Sequence, residues 1–447
     1  MNNSIARRQF LKQASAAGIG LSLASAAGSL ARAADSTNAN SKLTFAVIGT
    51  NGRGLSHVQS LTDLPGAEVA YICDVDERAI AKGIKETTKR QKTEPKGLRD
   101  FRKVLEDKSV DAVTIATPDH WHAPMAILAL AAGKHVYVEK PCSHNPNEGE
   151  LLIQAVKKSG RVLQMGNQRR SFPNLQQTIK AIREGAIGKA CFARGWYANN
   201  RGPIGQGKSV EVPSWLEYEL WQGPAPRRPY RDNILHYNWH WFWNWGTGEA
   251  LNNGTHEIDV CRWALGVDFP VRVSSNGGRY AYQDDWETPD TQVIGWDFPG
   301  DVTIAWEGRS CNGLPSERLS RGSMIYGTEG SALLDGNDCT LYDKKGKVTK
   351  AVKGNEEVDA TNTVSSTGGN LDRLHMKNFL DAIRGDAKPN SPAEEGHKSV
   401  AMLQLGNIAV RTHRALQCNP ANGHIENDPE AAKLWRRDYE PGWEPKV

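Results

Sequence analysis

Three residues have the types and settings that proton and hydride chemistry requires: Lys140, His256 and Asn252. Lys140 stands in Glu139-Lys140-Pro141, at the end of an apolar run that begins at His135. A strand there presents the ammonium group at the edge of a sheet. It can then hydrogen-bond a reacting oxygen and stabilise the charge that develops on it. The competing reading is a solvated lysine at a strand end. His256 follows Asn252 by four residues, so on one helix the two share a face. A histidine whose orientation is fixed by a neighbour can take a proton from a hydroxyl. The competing reading is a core histidine packed near Trp263.

These groups need a partner that accepts electrons, and the first part of the chain offers a place for one. Leu43-Thr-Phe-Ala-Val-Ile-Gly-Thr-Asn-Gly-Arg-Gly54 is an apolar strand breaking into a glycine-rich turn. Such a turn seats a dinucleotide pyrophosphate on a helix N-terminus. The fingerprint asks for glycine at positions one, three and six; here these are Gly49, Asn51 and Gly54. Close backbone approach is therefore expected at Gly52. Asp74 follows Gly49 by 25 residues, where a carboxylate binds the ribose hydroxyls and repels a 2′-phosphate. That favours NAD, with Arg53 and Arg78 placed to soften the preference against NADP. Thr117-Pro118-Asp119-His120-Trp121-His122 ends a third apolar run and borders the same cofactor. His122 and Trp121 either touch the nicotinamide half or are satisfied side chains at a helix start.

The elements that would position these residues alternate in the way of βαβ units. Strands are expected over Leu43–Gly49, Glu68–Asp74, Ala112–Thr117, His135–Lys140 and Val162–Asn167, with helices between them. The pattern changes near Ser171. Beyond it come a helix through Glu184, strands Cys191–Ala198, Thr291–Phe298 and Val302–Glu307, and a turn at Phe298-Pro-Gly-Asp301. Helices are expected over Leu371–Arg384 and Pro392–Leu416. The fold class is α/β: a doubly wound parallel sheet over residues 42–170, then an α/β domain with an open, largely antiparallel sheet over 171–417. Residues 418–447 read as a polar tail. In Tyr237-Asn-Trp-His-Trp-Phe-Trp-Asn-Trp245, Trp239, Trp241, Trp243 and Trp245 share parity. On a strand they would line one face, as a platform for sugar rings, a buried sheet face or a subunit interface.

Residues 1–33 hold Arg7-Arg8, an Ala/Gly/Ser/Leu run and Ala31-Arg32-Ala33, the pattern of a cleaved twin-arginine export signal. A periplasmic or otherwise exported protein is expected, with no integral membrane segment after removal of the signal. The chain's net charge of +4 equals the four positive residues of that segment, so the remainder is formally neutral. This argues against nucleic acid as a partner. Seven scattered cysteines without a CxxC pair argue against a disulfide framework and a metal site. An exported enzyme has little free cofactor around it, so the NAD is expected to be tightly held.

With Ala46-Val-Ile-Gly-Thr-Asn-Gly-Arg-Gly54, Ala116-Thr-Pro-Asp-His-Trp-His122, Glu139-Lys-Pro141, Gly254-Thr-His256 and Glu395-Gly-His-Lys-Ser399 in view, the chain resembles the glucose–fructose oxidoreductase and inositol dehydrogenase family (Gfo/Idh/MocA). The resemblance spans essentially the whole mature chain, and Glu-Lys-Pro is its most specific part. It implies a Rossmann domain followed by an open-sheet domain with the substrate between them. It also implies that Lys140 and His256 act on a sugar or polyol hydroxyl, that Lys140–Pro141 is cis, and that subunits join through the open sheet as a homo-oligomer. Typical dehydrogenases of the family carry Asp four residues before the histidine, where this chain has Asn252. An amide cannot share a proton or hold imidazolium charge as a carboxylate does. Relatives with altered sites include glycosidases that keep NAD bound through a redox-neutral cycle. The expectation is an exported NAD-dependent oxidoreductase acting on sugars, with such a glycosidase second and a non-catalytic sugar-binding protein third.

Overall fold

The computed structural model describes residues 42–354 and 370–447; the export signal expected over 1–33 lies outside the described residues. The first domain runs β1 (Leu43–Ile48), α1 (Arg53–Thr62), β2 (Ala67–Cys73), α2 (Glu77–Thr88), β3 (Lys96–Leu98), α3 (Phe101–Glu106), β4 (Ala112–Ile115), α4 (Asp119–Ala131), β5 (His135–Glu139), α5 (Pro146–Ser159) and β6 (Leu163–Gly166). Its six strands are all parallel in the order β3-β2-β1-β4-β5-β6. The order reverses between β1 and β4, and a ligand crevice opens outside the strand ends at such a point. Phe45, Ala46, Val47 and Ile48 are all buried, as expected of a strand covered by helices on both faces.

The second domain runs α6 (Pro173–Arg183), β7 (Ala190–Ala198), α7 (Tyr218–Gln222), α8 (Gly248–Asn252), α9 (Gly254–Leu265), β8 (Arg272–Gly278), β9 (Thr291–Phe298), β10 (Val302–Arg309), β11 (Arg321–Gly327), β12 (Gly330–Asp335), β13 (Asp338–Asp343), β14 (Val348–Val352), α10 (Asn370–Arg384), α11 (Ala393–Thr412), β15 (Leu416–Cys418), β16 (Ile425–Glu426) and α12 (Pro429–Ala432). Ten strands form one sheet, β14-β13-β12-β11-β7-β10-β9-β8-β15-β16. Among the described residues only the β7–β10 pair of this sheet is parallel. The hairpin expected at Phe298–Asp301 joins β9 to β10.

α9 and α11 pack against the strands of this sheet. α11 is buried along most of its length, so it forms core rather than a one-sided surface helix. α10 crosses back: Met376, Phe379 and Leu380 pack with Phe45, Val47 and Val58 of the first domain. The residues after 418 are no loose tail. Trp435 is buried, and the Trp443 ring meets Trp121 edge-on at 5.3 Å. All seven cysteines are free, and five of them are buried.

The tryptophan run is not a strand. Asn238–Trp241 is a single 3-10 turn, and the rings that shared parity diverge from it. Trp241 stacks on Trp286 at 3.9 Å, Trp245 packs on Trp221, Trp239 stacks on His240, and Trp243 lies under Arg411. A period-two face needs extended backbone, and the positive φ of 91° at Tyr237 breaks it where the run begins. The shared face of four indoles does not form.

Candidate active site

A cavity of about 330 Å³ opens where β1, β2, β4 and β5 end, and it is closed from the other side by residues of the second domain. Gly49 leaves β1 with φ +86°, and a β-carbon there would meet the Ala116 carbonyl oxygen at 2.6 Å. Gly54 lies against the Gly49 carbonyl so closely that no side chain fits. The two glycines let α1 begin against the strand ends. Gly52 is the uncapped residue before α1, so the free amides of that helix start lie beside the cavity. Asn51 faces it too and accepts a hydrogen bond from Lys82 Nζ at 2.8 Å.

Asp74, just past β2, accepts the Thr50 amide at 2.7 Å and the Asp76 amide at 3.0 Å. Burial raises its pKa, against the pull of those two amides. The arginines expected to soften its preference are occupied elsewhere. Arg53 donates to Glu139 at 2.8 Å and to Asp372 at 2.7 Å. Arg78 pairs with Asp76 at 2.8 Å and lies 3.3 Å over the Trp215 ring. With both guanidinium groups engaged, Asp74 faces the cavity without an arginine partner among the described residues, which corrects the sequence reading.

Pro118 precedes α4, and Thr117 turns a buried Oγ1 that has no partner among the described residues. His122 sits in the first turn of α4 with its ring between two carbonyl oxygens. Its ring nitrogens lie 2.7 Å from the carbonyl oxygens of Pro141 and Thr117, while the ring still borders the cavity. Trp121 likewise donates to the Trp221 carbonyl at 2.9 Å.

Glu139 is the hub beneath the cavity. Its Oε1 accepts from Arg53, from His57 Nε2 at 3.0 Å and from Gln168 Nε2 at 3.2 Å. Burial alone would raise its pKa, but Arg53 and His57 hold it well below the usual carboxylate range. Lys140 comes next, and the Lys140–Pro141 bond is cis. Its Nζ donates to the Asn252 carbonyl at 2.6 Å and lies 3.3 Å from Asn252 Oδ1. Burial lowers the Lys140 pKa, opposed by Glu139 and Asp119.

His256 stands on the first turn of α9, after the chain breaks at Asn253 between α8 and α9. It is 4 % exposed, and neither ring nitrogen has a partner among the described residues. Burial lowers its pKa well below 6.5, with Arg321, Lys140 and Arg169 adding to the effect. The ring is therefore neutral near pH 7 and faces the same cavity as Lys140. Asn252 holds Lys140 and not His256. Its Nδ2 donates to Tyr237 Oη and to Glu249 Oε1, both at 3.2 Å.

Sequence reasoning did not find Glu249, Arg201 or Tyr237. Glu249 also accepts from Arg201 at 2.7 Å and from Ser310 at 2.8 Å. Burial would raise its pKa, yet Arg201 holds it below the usual range. The carboxylate absent at 252 thus stands one helical turn earlier, behind Asn252. Its spacing three residues before Asn252 was the available signal. Tyr237 Oη accepts from both Asn252 and Arg201, which leaves its hydrogen free to donate.

These residues fit a dinucleotide: a glycine turn at the switch point, a carboxylate with no arginine partner at the end of β2, and orphaned polar atoms at the far end. Residues 43–167 match the model of an oxidoreductase family's NAD-binding Rossmann fold, and residues 217–417 match the same family's C-terminal α/β domain. The chain belongs to the Gfo/Idh/MocA oxidoreductase family. Its cofactor is NAD.

A glycosyl hydrolase family 109 protein of Parabacteroides distasonis is 31 % identical over 197 residues, 41 % of this chain and 42 % of that one. A levoglucosan dehydrogenase of Pseudarthrobacter phenanthrenivorans is 39 % identical over 167 residues, 37 % of this chain and 36 % of that one. The chain spans about half or less of the length of these curated relatives. A levoglucosan dehydrogenase structure in complex with NADH and levoglucosan superimposes with a TM-score of 0.65 at 18 % identity, over 84 % of this chain and 99 % of that one. It has the same fold.

Proposed function

We propose that this protein is an NAD-dependent oxidoreductase acting on a hydroxyl of a sugar or polyol. The observation that carries the reading is the convergence of a donor, Lys140 Nζ, and a buried, unpartnered neutral ring, His256, on the cavity that also holds the glycine turn and Asp74. Lys140 hydrogen-bonds the substrate hydroxyl oxygen and stabilises its developing negative charge. His256 takes the hydroxyl proton on a ring nitrogen that has no other partner. Asn252 positions Lys140, and Glu249 and Tyr237 in turn hold the amide. When bound, the nicotinamide exchanges hydride with the carbon that bears the hydroxyl. Gly49, Gly52, Gly54 and Asp74 bind the rest of the dinucleotide, with Thr117 Oγ1 available to a hydroxyl. Incubating the purified protein with a panel of sugars and glycosides tests the reading, with reduced nicotinamide followed by absorbance. A lasting rise with one compound is expected; no change with any compound contradicts it.

A redox-neutral glycosidase is the second reading, supported by the likeness to the glycosyl hydrolase and by Tyr237, whose free phenolic hydrogen borders the cavity. Release of free sugar without lasting cofactor reduction distinguishes it. We further propose export through the twin-arginine route, on the Arg7-Arg8 signal, with the cofactor tightly held. Homo-oligomer formation through the open face of the second sheet completes the proposal. Val293, 51 % exposed in the middle of β9, supports it.

A further inference from the structure

A second cavity, of about 470 Å³, shares no lining residue with the first. One wall is the segment Trp243–Thr247, which leads directly into α8 and Asn252. The others come from the start of α5, from α11 and from the chain after α12. Four side chains in this wall, Gln404, His144, Arg437 and Asn145 through Nδ2, carry buried polar atoms without a partner among the described residues.

Gln404, 4 % exposed, donates through Nε2 to the Ser143 carbonyl at 2.9 Å and leaves Oε1 unused. His144 Nε2 lies 3.1 Å from the Gly246 carbonyl oxygen. Nε2 therefore carries the hydrogen, and Nδ1 is an unpartnered acceptor. Burial, with Arg437, His120 and Arg411 nearby, lowers the His144 pKa well below the usual range and keeps the ring neutral. Arg437 gives Nε to Glu148 and Nη2 to Glu148 and the His120 carbonyl, but Nη1 to nothing.

The charge lining the cavity is asymmetric. Arg228 and Lys433 are paired with Glu287 and Glu430. Arg411 and Arg436 make no ion pair among the described residues; Asp438 lines the cavity with them, and Glu287, already paired with Arg228, lies near Arg411. Two orphaned acceptors ask for hydroxyl donors. One orphaned guanidinium nitrogen and two unpaired arginines ask for an anion. The volume is that of a small-molecule site, far beyond a single water.

We infer that this cavity is a second binding site, for an anionic sugar: a polyol carrying a carboxylate or a phosphate. Its anionic group meets Arg437, Arg411 and Arg436, and its hydroxyls donate to Gln404 Oε1 and His144 Nδ1.

Calorimetric titration of the whole protein, with its cofactor, with glucuronate, glucose 6-phosphate and glucose tests the assignment. At least one of the two anions is expected to bind saturably, and which one identifies the anionic group; glucose alone is expected not to bind at this site. The double substitution Arg411→Gln/Arg436→Gln, at exposed positions, is expected to weaken that binding at least tenfold, and Gln404→Glu to weaken it independently. Lys140→Ala is expected to leave it unchanged, which separates this site from the catalytic cavity. Absence of binding by both anions overturns the inference. So does binding that Lys140→Ala abolishes and the arginine substitutions spare.

Discussion

Replacing Asn252 by Asp restores the residue type that the family resemblance leads one to expect, and here it should harm the protein. The new carboxylate would lie 3.3 Å from Lys140 Nζ through Oδ1. Its second oxygen would replace an Nδ2 that sits 3.2 Å from Glu249 Oε1. At an effective dielectric constant of about 20, unit charges at that separation interact by about 5 kcal/mol. The attraction to Lys140 and the repulsion from Glu249 therefore nearly cancel. What remains is the loss of a charge-assisted hydrogen bond to a buried carboxylate, worth about 1–3 kcal/mol. Asn252→Asp is expected to lower unfolding free energy by that amount in urea denaturation, and a loss of about 1.4 kcal/mol at the Lys140 site corresponds to a tenfold fall in kcat. A double-mutant cycle with Glu249→Gln isolates the cause, because each single variant carries its own costs. The Asn252→Asp penalty should disappear once Glu249 is neutral, because the repulsion of about 5 kcal/mol goes with its charge while the attraction to Lys140 stays. A penalty of equal size in both backgrounds, or a more stable and more active single variant, would refute the placement of the negative charge at Glu249.

Other outcomes follow from the same geometry. His256→Leu should lower kcat by about 10²-fold or more, while the denaturation midpoint stays level or rises because the ring nitrogens have no partner to lose; a fall in kcat below tenfold removes His256 as the base. The base works deprotonated, and burial puts its pKa below 6.5, so kcat/KM should rise with pH only below 6.5. Lys140 works protonated, and its pKa is lowered from 10.5, so activity should begin to fall below pH 10.5; a profile still rising through pH 8 contradicts the first, and one with no fall by pH 10.5 the second. Asp74→Asn removes a charged acceptor worth about 1.5–3 kcal/mol, so NAD should bind about 10- to 100-fold more weakly in fluorescence titration, with NADP affected less. Equal loss for the two cofactors would sink the role of Asp74.

Much of the first domain was legible because its strands are buried on both faces and read as unbroken apolar runs. β3 was not, since Lys96 and Gly97 are exposed and the strand is three residues long. Lys140 and His256 stood out because a strand end and a helix start are local features. Arg201 and Tyr237 did not, because they reach Glu249 and Asn252 from loops whose conformation no period encodes, whereas Glu249 stood three residues away on the same helix. The tryptophan run shows the same limit: parity predicts a shared face only while the backbone stays extended, and Tyr237 ends that at once. The return of α10 to the first domain was hidden for another reason. An apolar stripe such as Met376, Phe379 and Leu380 says that a helix is covered, and not by which sheet.

The most direct test is to purify Lys140→Ala with its cofactor and measure two quantities side by side: bound NAD, and turnover of the best sugar found for the wild type. Retained NAD with turnover abolished is the expected result. Turnover equal to that of the wild type would contradict the role given to Lys140.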